Sequence, residues 1–154
     1  MDLRTIWVSD HASPSIPHHS HNYYQMIYCQ KGSGRITIGD SVYLATPGCI
    51  YLVQPMVNHS IQPQATFRLA EVKFVVRRED LDNSLKQLPV EMEIDKYTNL
   101  RLSMQEVIRE GLTDLTYSYE ATNAALYLFL IRLLRNQNID VAHKPWRRFY
   151  FDTP

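Results

Sequence analysis

The sequence predicts a mainly β fold of the α+β class, in which an antiparallel β-barrel comes first and a helical hairpin follows. Up to about Arg77, short segments rich in aromatic and β-branched residues alternate with Gly and Pro turns, and no helix-length connection separates them. After Arg77, apolar residues recur with the helical period of about 3.6. A chain of 154 residues with 45% hydrophobic residues can enclose one core, so we expect a single domain.

Six strands are predicted in the first half of the chain. Aromatic and β-branched residues mark the strands, and turn residues such as Gly39-Asp40 and Pro47-Gly48 separate them. Gly32, Gly34 and Gly39 are predicted to supply positive φ angles in hairpin turns. The predicted strands are residues 23–30, 35–38, 42–45, 50–53, 59–61 and 67–76.

Three helices are predicted in the second half of the chain. The first spans residues 79–88 and ends before Pro89, which cannot continue a helix. The second begins after Asp95, which is predicted to be its N-cap, and ends near Gly111. The third runs from about residue 119 to residue 136 and contains the longest apolar run of the chain.

The third predicted helix is apolar on nearly all sides. Ten of its eleven residues from 124 to 134 are apolar, and such a helix cannot leave one face in water. We therefore expect it to be covered twice, by its own domain and by a second copy of the chain. The residues predicted to form this dimer interface, and part of the core as well, are Leu126, Leu130, Leu133 and Leu134.

Charge balance and the N-terminal residues narrow the classes of function. Sixteen Lys and Arg residues match sixteen Asp and Glu residues, so the chain lacks the basic excess with which proteins bind nucleic acid tightly. The apolar run of eleven residues is too short to span a membrane, which needs about 20. The N-terminal residues lack the features of a secretory signal, so we expect a cytoplasmic protein without a membrane partner. Cys29 and Cys49 lie in apolar runs and are predicted to be buried free thiols.

The most informative motif is a histidine-rich stretch from His18 to Gln25. His19, His21 and Gln25 have the same parity on an extended chain, so their side chains leave the same face, which we assign to the barrel interior. With His59 from a neighbouring strand, they form a set of ligands suited to a divalent metal such as Zn, Ni or Fe. The alternative is a set of neutral histidines that bind an organic ligand. His18 has the opposite parity and is expected to be exposed.

The same parity indicates further residues of the site. Tyr23 and Ile27 would stand beside Gln25 as ligand-binding residues, and an assignment of both to the barrel core fits equally well. Glu71 and Lys73 interrupt the apolar alternation of the last predicted strand. We expect this pair to lie on a solvated edge; the alternative is an inward-facing Glu71 that binds a ligand hydroxyl or completes a metal site.

The spacing of these residues resembles two motifs of the cupin family. The pattern H-x-H-x3-Q-x6-G from His19 to Gly32 is similar to the first cupin motif, and the stretch from Pro55 to His59 is similar to the second. The resemblance implies a cupin-type, jelly-roll-like barrel. Gln25 stands where cupin enzymes usually have Glu, and an amide lacks the charge and basicity of a carboxylate. This difference disfavours catalysis at the site.

Such a barrel followed by a two-helix hairpin most resembles the N-terminal effector-binding and dimerisation domain of AraC-type transcription regulators, as do the strands within residues 24–28 and 48–55. The resemblance implies that the barrel binds a small molecule, often a sugar, and that the hairpin makes a homodimer. It also implies that DNA is read only by a C-terminal domain outside this sequence. The implied parts are an N-terminal arm at residues 1–17, a barrel at 18–77, a helical dimerisation part at 78–138 and a linker at 139–154.

Two functions of different classes follow, and the first is favoured. In the first, the chain is the small-molecule-sensing and dimerisation domain of an AraC-type regulator and performs no catalysis. In the second, it is a metal-dependent cupin enzyme, such as a dioxygenase or an isomerase, in which His19, His21 and His59 bind the metal. A third function, a partner that forms inactive heterodimers with a full-length regulator, would require only the helical hairpin.

Overall fold

Two long strands form the middle of the sheet and determine the shape of the β half. The computed structural model describes residues 2–139. The strands are β1 (Leu3–Ala12), β2 (Ile16–His19), β3 (Tyr24–Ile38), β4 (Ser41–Leu44), β5 (Cys49–Val53), β6 (His59–Val76) and β7 (Glu91–Glu93), and the helices are α1 (Glu79–Leu85), α2 (Thr98–Gly111) and α3 (Ser118–Asn136). β3 and β6 are antiparallel and pair along most of their length.

The seven strands form one antiparallel sheet with the order β1-β6-β3-β5-β7. β2 pairs with the first part of β6, and β4 pairs with the last part of β3, so each long strand has different neighbours at its two ends. The sheet is jelly-roll-like and is not closed into a barrel. The predicted mainly β, α+β architecture with a following helical part is confirmed, although two long bent strands replace several of the short predicted ones.

β3 continues through the turn that was predicted around Gly32 and Gly34. Its register with β6 shifts twice in this region, which marks β-bulges. Gly32 has a φ angle of +77°, and a Cβ atom there would stand 1.6 Å from the carbonyl oxygen of Thr66. The prediction of a hairpin turn at these two glycines is wrong, because they allow a bend within one strand. Gly39 does lie in a turn between strands and has a φ angle of +60°.

Both faces of the sheet are covered by apolar side chains. Because side chains alternate along β3, Tyr24 and Met26 leave one face, which packs against the helices, and Ile27 leaves the other. On this inner face, side chains from the first and last parts of β3 and β6 pack against one another. The inner cluster consists of Ile27, Cys29, Ile36, Ile38, Ala45, Cys49, Tyr51, Val53, Ile61, Phe67 and Leu69.

The helical part lies on the outer face of the sheet and is joined to it by tyrosine–carboxylate hydrogen bonds. Tyr24 Oη donates to Asp82 Oδ1 at 2.6 Å, and Tyr28 Oη donates to Asp95 Oδ1 at 2.5 Å. All three predicted helices are present, but α2 begins after Tyr97 and not directly after Asp95. Asp95 accepts the hydrogen bond from Tyr28 and does not cap the helix.

The four leucines predicted for a dimer interface lie in the core of their own domain. Leu126, Leu130, Leu133 and Leu134 are at most 1% exposed and pack in the cluster that joins the helices to the sheet. Side chains that are already covered in this way offer no surface to a second copy. Any contact between copies through α3 must use its outer face, where Leu128 is 44% exposed.

The N-terminal residues are part of the sheet. The expected arm, residues 1–17, includes β1, which pairs with β6 from Leu3 to Ala12. β1 also packs closely against the end of α2. A Cβ atom at Gly111 would stand only 2.5 Å from Val8 Cγ2. The segment expected to precede the β-structure therefore connects the sheet with the helices.

Cys29 and Cys49 are buried free thiols, as predicted. Burial raises the pKa of the Cys29 thiol to about 11, so this thiol is protonated and unreactive at neutral pH.

Within residues 2–139, no helix has the length and apolar character needed to cross a lipid bilayer. The predicted linker at 139–154 lies outside the described residues, apart from Ile139.

Candidate ligand and metal site

Three imidazole rings meet at one end of the inner face of the sheet. His19 ends β2, His21 follows it, and His59 begins β6 directly opposite His19. The ring centroids of His19 and His21 lie 4.2 and 4.7 Å from that of His59, and one ligand nitrogen of each ring lies within 4.8 Å of the others. His59 is fully buried, whereas His19 lies at the exposed rim. The structure thus brings His19 and His21, which strand parity grouped, together with His59, which was expected from a neighbouring strand.

Each of the three imidazoles is oriented by a backbone carbonyl two residues away. The contacts are His19 Nδ1 to Pro17 O at 2.9 Å, His21 Nδ1 to Tyr23 O at 3.0 Å, and His59 Nδ1 to Val57 O at 2.9 Å. A carbonyl oxygen only accepts hydrogen bonds, so the proton of each neutral ring belongs on Nδ1. The Nε2 lone pairs are then available, which is the arrangement typical of metal-binding histidines.

The side chain of Gln25 completes the cluster. It is buried, and its Oε1 lies 2.9 Å from His21 Nε2 and 3.2 Å from His59 Nε2. Its Nε2 donates to Glu71 Oε1 at 2.5 Å. An ionised carboxylate only accepts hydrogen bonds, so the amide nitrogen of Gln25 has to face Glu71. The amide oxygen therefore has to face the imidazoles.

In their neutral forms, the two imidazoles have no donor proton for Gln25 Oε1. A neutral imidazole has one N–H, and in His21 and His59 a backbone carbonyl oxygen holds that proton on Nδ1. Burial lowers the pKa of His59 to about 4, so this ring is neutral at pH 7. The amide oxygen and the Nε2 atoms thus face one another as acceptors. A bound cation satisfies such a set, and so does a ligand that donates several hydrogen bonds.

Glu71 faces the interior of the sheet. It is 9% exposed, accepts the hydrogen bond from Gln25, and has its Oε2 3.5 Å from His11 Nε2. The expectation of a solvated edge is wrong, because β6 is flanked by β1 on one side and β3 on the other. His11 was not among the predicted site residues. Its position depends on the pairing of two strands far apart in sequence, which no local pattern indicates.

Lys73 and Trp7 lie on the same face as Glu71. They are paired in register between β6 and β1, and Lys73 Nζ lies 5.9 Å from the centre of the Trp7 ring. The positive charge of Lys73 helps to lower the pKa of His59, although burial has the largest effect. A cation and a carboxylate therefore stand near the histidine cluster.

The remaining predicted site residues occupy different positions. The Tyr23 ring stacks on that of His21, with centroids 3.9 Å apart and an angle of 3° between the planes. Ile27 is fully buried in the inner apolar cluster and lies opposite Glu71 in the sheet. His18 is exposed, in agreement with its parity.

Two surface pockets lie away from the histidines. A pocket of about 200 Å³ is formed by β1 together with the end of α2 and the start of α3, and Trp7 and Tyr119 line it. A second pocket of about 280 Å³ lies beside β2, where Ile16 and Arg35 line it. Neither pocket is lined by a member of the histidine cluster. The cluster, of which Gln25 and His59 are buried, is separate from both pockets.

The family model described as the AraC-like ligand binding domain matches residues 9–110, which is well over half of the chain. The chain belongs to this family. The resemblance inferred from the histidine motif and the helical hairpin is confirmed. The role of this family of domains is to sense small molecules by binding them. A search of curated protein sequences finds no match to it.

Comparison with solved structures agrees with the fold of this AraC-like domain. The apo form of a ToxT variant from Vibrio cholerae is similar, with a TM-score of 0.55 and 10% sequence identity. The similarity covers 94% of this chain, helices included, and 60% of the ToxT chain. At this identity, it supports the fold alone.

Two further solved structures are similar over about half of this chain. A predicted oxalate decarboxylase from Thermotoga maritima has a TM-score of 0.44 and 15% identity, covering 47% of this chain and 69% of that one. An RmlC-like cupin from Shewanella frigidimarina has a TM-score of 0.41 and 20% identity, covering 50% of this chain and 70% of that one.

Proposed function

We propose that this AraC-like domain senses a polar small molecule at the cluster formed by His19, His21, His59 and Gln25, and that it acts by binding rather than by turnover. One observation carries the proposal. The Nε2 atoms of His21 and His59 face the amide oxygen of Gln25, and in neutral rings whose proton is held on Nδ1 by a backbone carbonyl oxygen all three of these atoms are acceptors. Membership of a ligand-binding family supports a ligand as the missing donor.

The chemistry of the cluster favours a ligand that brings its own donors. A molecule with several hydroxyl groups, such as a sugar, can donate to the Nε2 atoms and to Gln25 Oε1. The aromatic ring of Tyr23 stacks on that of His21 and suits an apolar face of such a molecule. Lys73 adds a positive charge on the same inner face. These features support a hydroxyl-bearing effector, including sugars and hydroxy acids.

The same donor set fits a divalent metal. Three imidazole nitrogens and a neutral amide oxygen suit Zn, Ni or Fe, and the Nδ1 contacts already orient the rings for ligation through Nε2. His19, His21, His59 and Gln25 would hold the ion. When bound, the ion would supply a positive charge to which an oxygen of the effector can bind.

A metal-dependent cupin enzyme is the second candidate function. Catalysis needs a group that moves a proton at the substrate, and Glu71, the carboxylate that contacts this cluster, is engaged with Gln25 and His11. This arrangement supports binding over turnover. Metal retained after dialysis, together with turnover that is lost in His21→Ala, would favour the enzyme. Metal-free protein that binds a small molecule would favour the sensor.

Strand β1 offers a route from the site to the helices. His11 on β1 faces Glu71, and Val8 and Thr5 on the same strand contact α2 and α3. An effector that binds better to one position of β1 shifts the helices toward the matching arrangement, by an amount set by its difference in affinity for the two states. We propose this strand as the element through which occupancy reaches the helical hairpin.

We also propose that the hairpin joins two copies of the chain in the cytoplasm. Leu102 on α2 and Leu128 on α3 are exposed apolar side chains on the outer surface of the helices. A DNA-reading domain outside this sequence would receive the signal, since a formal net charge of zero does not favour DNA binding by this part.

A ligand screen with matched histidine variants tests the proposed function. The melting temperature of the chain is measured with a panel of pentoses, hexoses, polyols and hydroxy acids, each with and without Zn²⁺. Because a ligand at about 100 times its Kd stabilises by about 2.7 kcal/mol, we expect one compound class to raise Tm by several degrees. Calorimetry should show binding that is lost in His21→Ala and retained in His18→Ala. Equal binding by both variants would place the effector elsewhere.

A further inference from the structure

The orientation of the Gln25 amide is fixed by a single residue behind the histidines. Glu71 Oε1 lies 2.5 Å from Gln25 Nε2, and the carboxylate is 9% exposed. A carboxylate in this position accepts the amide N–H, and it would repel the amide oxygen if the side chain were rotated by half a turn. The oxygen consequently points at Nε2 of His21 and of His59. Neutral rings with their proton on Nδ1 would by themselves accept a hydrogen bond from the amide nitrogen, so the orientation comes from Glu71 and not from the imidazoles.

The buried carboxylate of Glu71 stands one hydrogen bond behind the cluster. In their neutral forms, the imidazoles and the amide oxygen bring only partial charges. A hydrogen bond from an amide N–H to a carboxylate increases the negative charge on the amide oxygen, because linked hydrogen bonds polarise one another. Glu71 can in this way increase the negative charge on Gln25 Oε1, although it contacts only the amide nitrogen.

We propose that Glu71 is a positioning residue of the site: it holds Gln25 with its oxygen toward the imidazoles and lends that oxygen negative charge. The inference rests on the proposed function, because the ligand that this oxygen would bind is the divalent cation proposed there. His11 completes the arrangement from β1, with its Nε2 3.5 Å from the second carboxylate oxygen of Glu71. The other charge on this face, Lys73, is paired in register with Trp7, and its Nζ lies 5.9 Å from the centre of the Trp7 ring.

Two substitutions separate orientation from charge. Glu71→Gln keeps an oxygen that can accept from Gln25 and removes the charge, whereas Glu71→Met removes both at similar volume. Glu120→Gln removes the same charge at an exposed position of α3 and is the matched control. Combining Gln25→Glu with Glu71→Gln exchanges the two groups, so that the carboxylate faces the imidazoles and the amide supports it from behind.

The first measurement needs no metal. The side-chain NH₂ protons of Gln25 are assigned by NMR in the metal-free protein, using Gln25→Glu to identify the signals. We expect one of these protons to be shifted downfield and protected from exchange with solvent, and both properties to be lost in Glu71→Met but not in Glu120→Gln. Unchanged Gln25 signals in a folded Glu71→Met protein would overturn the proposal.

The second measurement is Zn²⁺ affinity by calorimetry, together with the visible spectrum of bound Co²⁺. Replacing a residue that supports a metal ligand typically weakens binding by about 10 to 100-fold, so we expect Glu71→Gln and Glu71→Met to fall in this range, with a changed Co²⁺ spectrum in Glu71→Met. The exchanged pair should restore the affinity lost in Glu71→Gln. Wild-type affinity in both single variants would overturn the proposal. Failure of the wild type to bind Zn²⁺, with the Gln25 signals as expected, would refute the metal part of the proposed function and leave the positioning role supported.

Discussion

The backbone amide of Thr5 donates a 2.7 Å hydrogen bond to Asn123 Oδ1, which fastens the first strand of the sheet to the third helix. Six residues further along β1, His11 faces Glu71 beside the histidine cluster. One strand therefore contacts both the candidate ligand site and the helical hairpin. A change in the position of β1 would affect both at once.

Removal of this link should weaken the attachment of β1. Asn123→Ala leaves the Thr5 amide without its acceptor, and we expect a loss of about 1–3 kcal/mol in the free energy of unfolding, measured with urea. Asn99→Ala, at an exposed position in the first turn of α2, is the control and should change stability by less than about 0.5 kcal/mol. Equal effects of the two substitutions would show that the contact does not fasten β1.

The two glycines with positive φ angles on β3 and in the following turn should respond differently to alanine. A Cβ atom at Gly32 would overlap the carbonyl oxygen of Thr66, whereas the nearest atom at Gly39 is Val57 Cγ1 at 4.0 Å. We expect Gly39→Ala to cost about 1–2 kcal/mol from backbone strain alone, and Gly32→Ala to cost at least about 3 kcal/mol or prevent folding. Urea unfolding followed by circular dichroism measures both. A Gly32→Ala protein as stable as Gly39→Ala would contradict the bulge.

Three buried tyrosines should make stability fall at high pH. Burial is the main cause that raises the pKa of Tyr24, Tyr28 and Tyr51 above the ordinary value of 10, and hydrogen bonds to acidic side chains are the second. Their phenols stay protonated in the folded state while the unfolded chain ionises, so the stability they contribute is complete below pH 10 and is lost as pH rises further. At pH 11 we expect a loss of about 1.4 kcal/mol per tyrosine relative to pH 9.

Absorbance at 295 nm measures this titration directly. The chain has ten tyrosines, so no more than seven should ionise near pH 10 in the folded protein. Tyr28→Phe should reduce the loss of stability between pH 9 and pH 11 by the share of one tyrosine. Ionisation of all ten near pH 10 in protein that keeps its circular dichroism spectrum would contradict the burial of these phenols.

The outer face of α3 is the predicted site of contact between copies. Leu128 is exposed there, so Leu128→Arg should weaken the dimer by at least about tenfold, which corresponds to about 1.4 kcal/mol, and leave the monomer folded. Leu44→Arg, at an exposed position on β4, is the control and should not change association. Sedimentation velocity over a concentration series measures the effect. A dimer constant that Leu128→Arg does not change would exclude this face.

Strand parity grouped His19, His21 and Gln25, and these residues do lie together. In the structure, however, His21 lies in the connection between β2 and β3. Parity along one extended strand is therefore not the cause of their proximity. It did not place Glu71, since the inner and outer faces of β6 are distinguished only by its pairing with β1 and β3. His11 joins the site through the same pairing. Contacts of this kind depend on register between distant segments, which one sequence does not encode locally.

The apolar run in α3 was correctly expected to need extensive cover, but the partner of its leucines was not determined by periodicity. Leu126 and Leu130 are covered by the sheet and α2, which lie together only in the folded domain. The glycines at 32 and 34 show a similar ambiguity. Glycine permits both a hairpin turn and a bulge, and the continuous pairing of β3 with β6 decides between them.

The proposed function requires that the Nε2 atoms of His19, His21 and His59 contact the ligand. A two-bond ¹H–¹⁵N correlation spectrum of the imidazole rings, recorded before and after addition of Zn²⁺ and of the effector from the screen, measures this contact. We expect the three rings to carry their proton on Nδ1 in the free protein and their Nε2 signals to move on addition, while His18 is unaffected. Protons on Nε2 in the free protein, or Nε2 signals that do not respond to either addition, would contradict it.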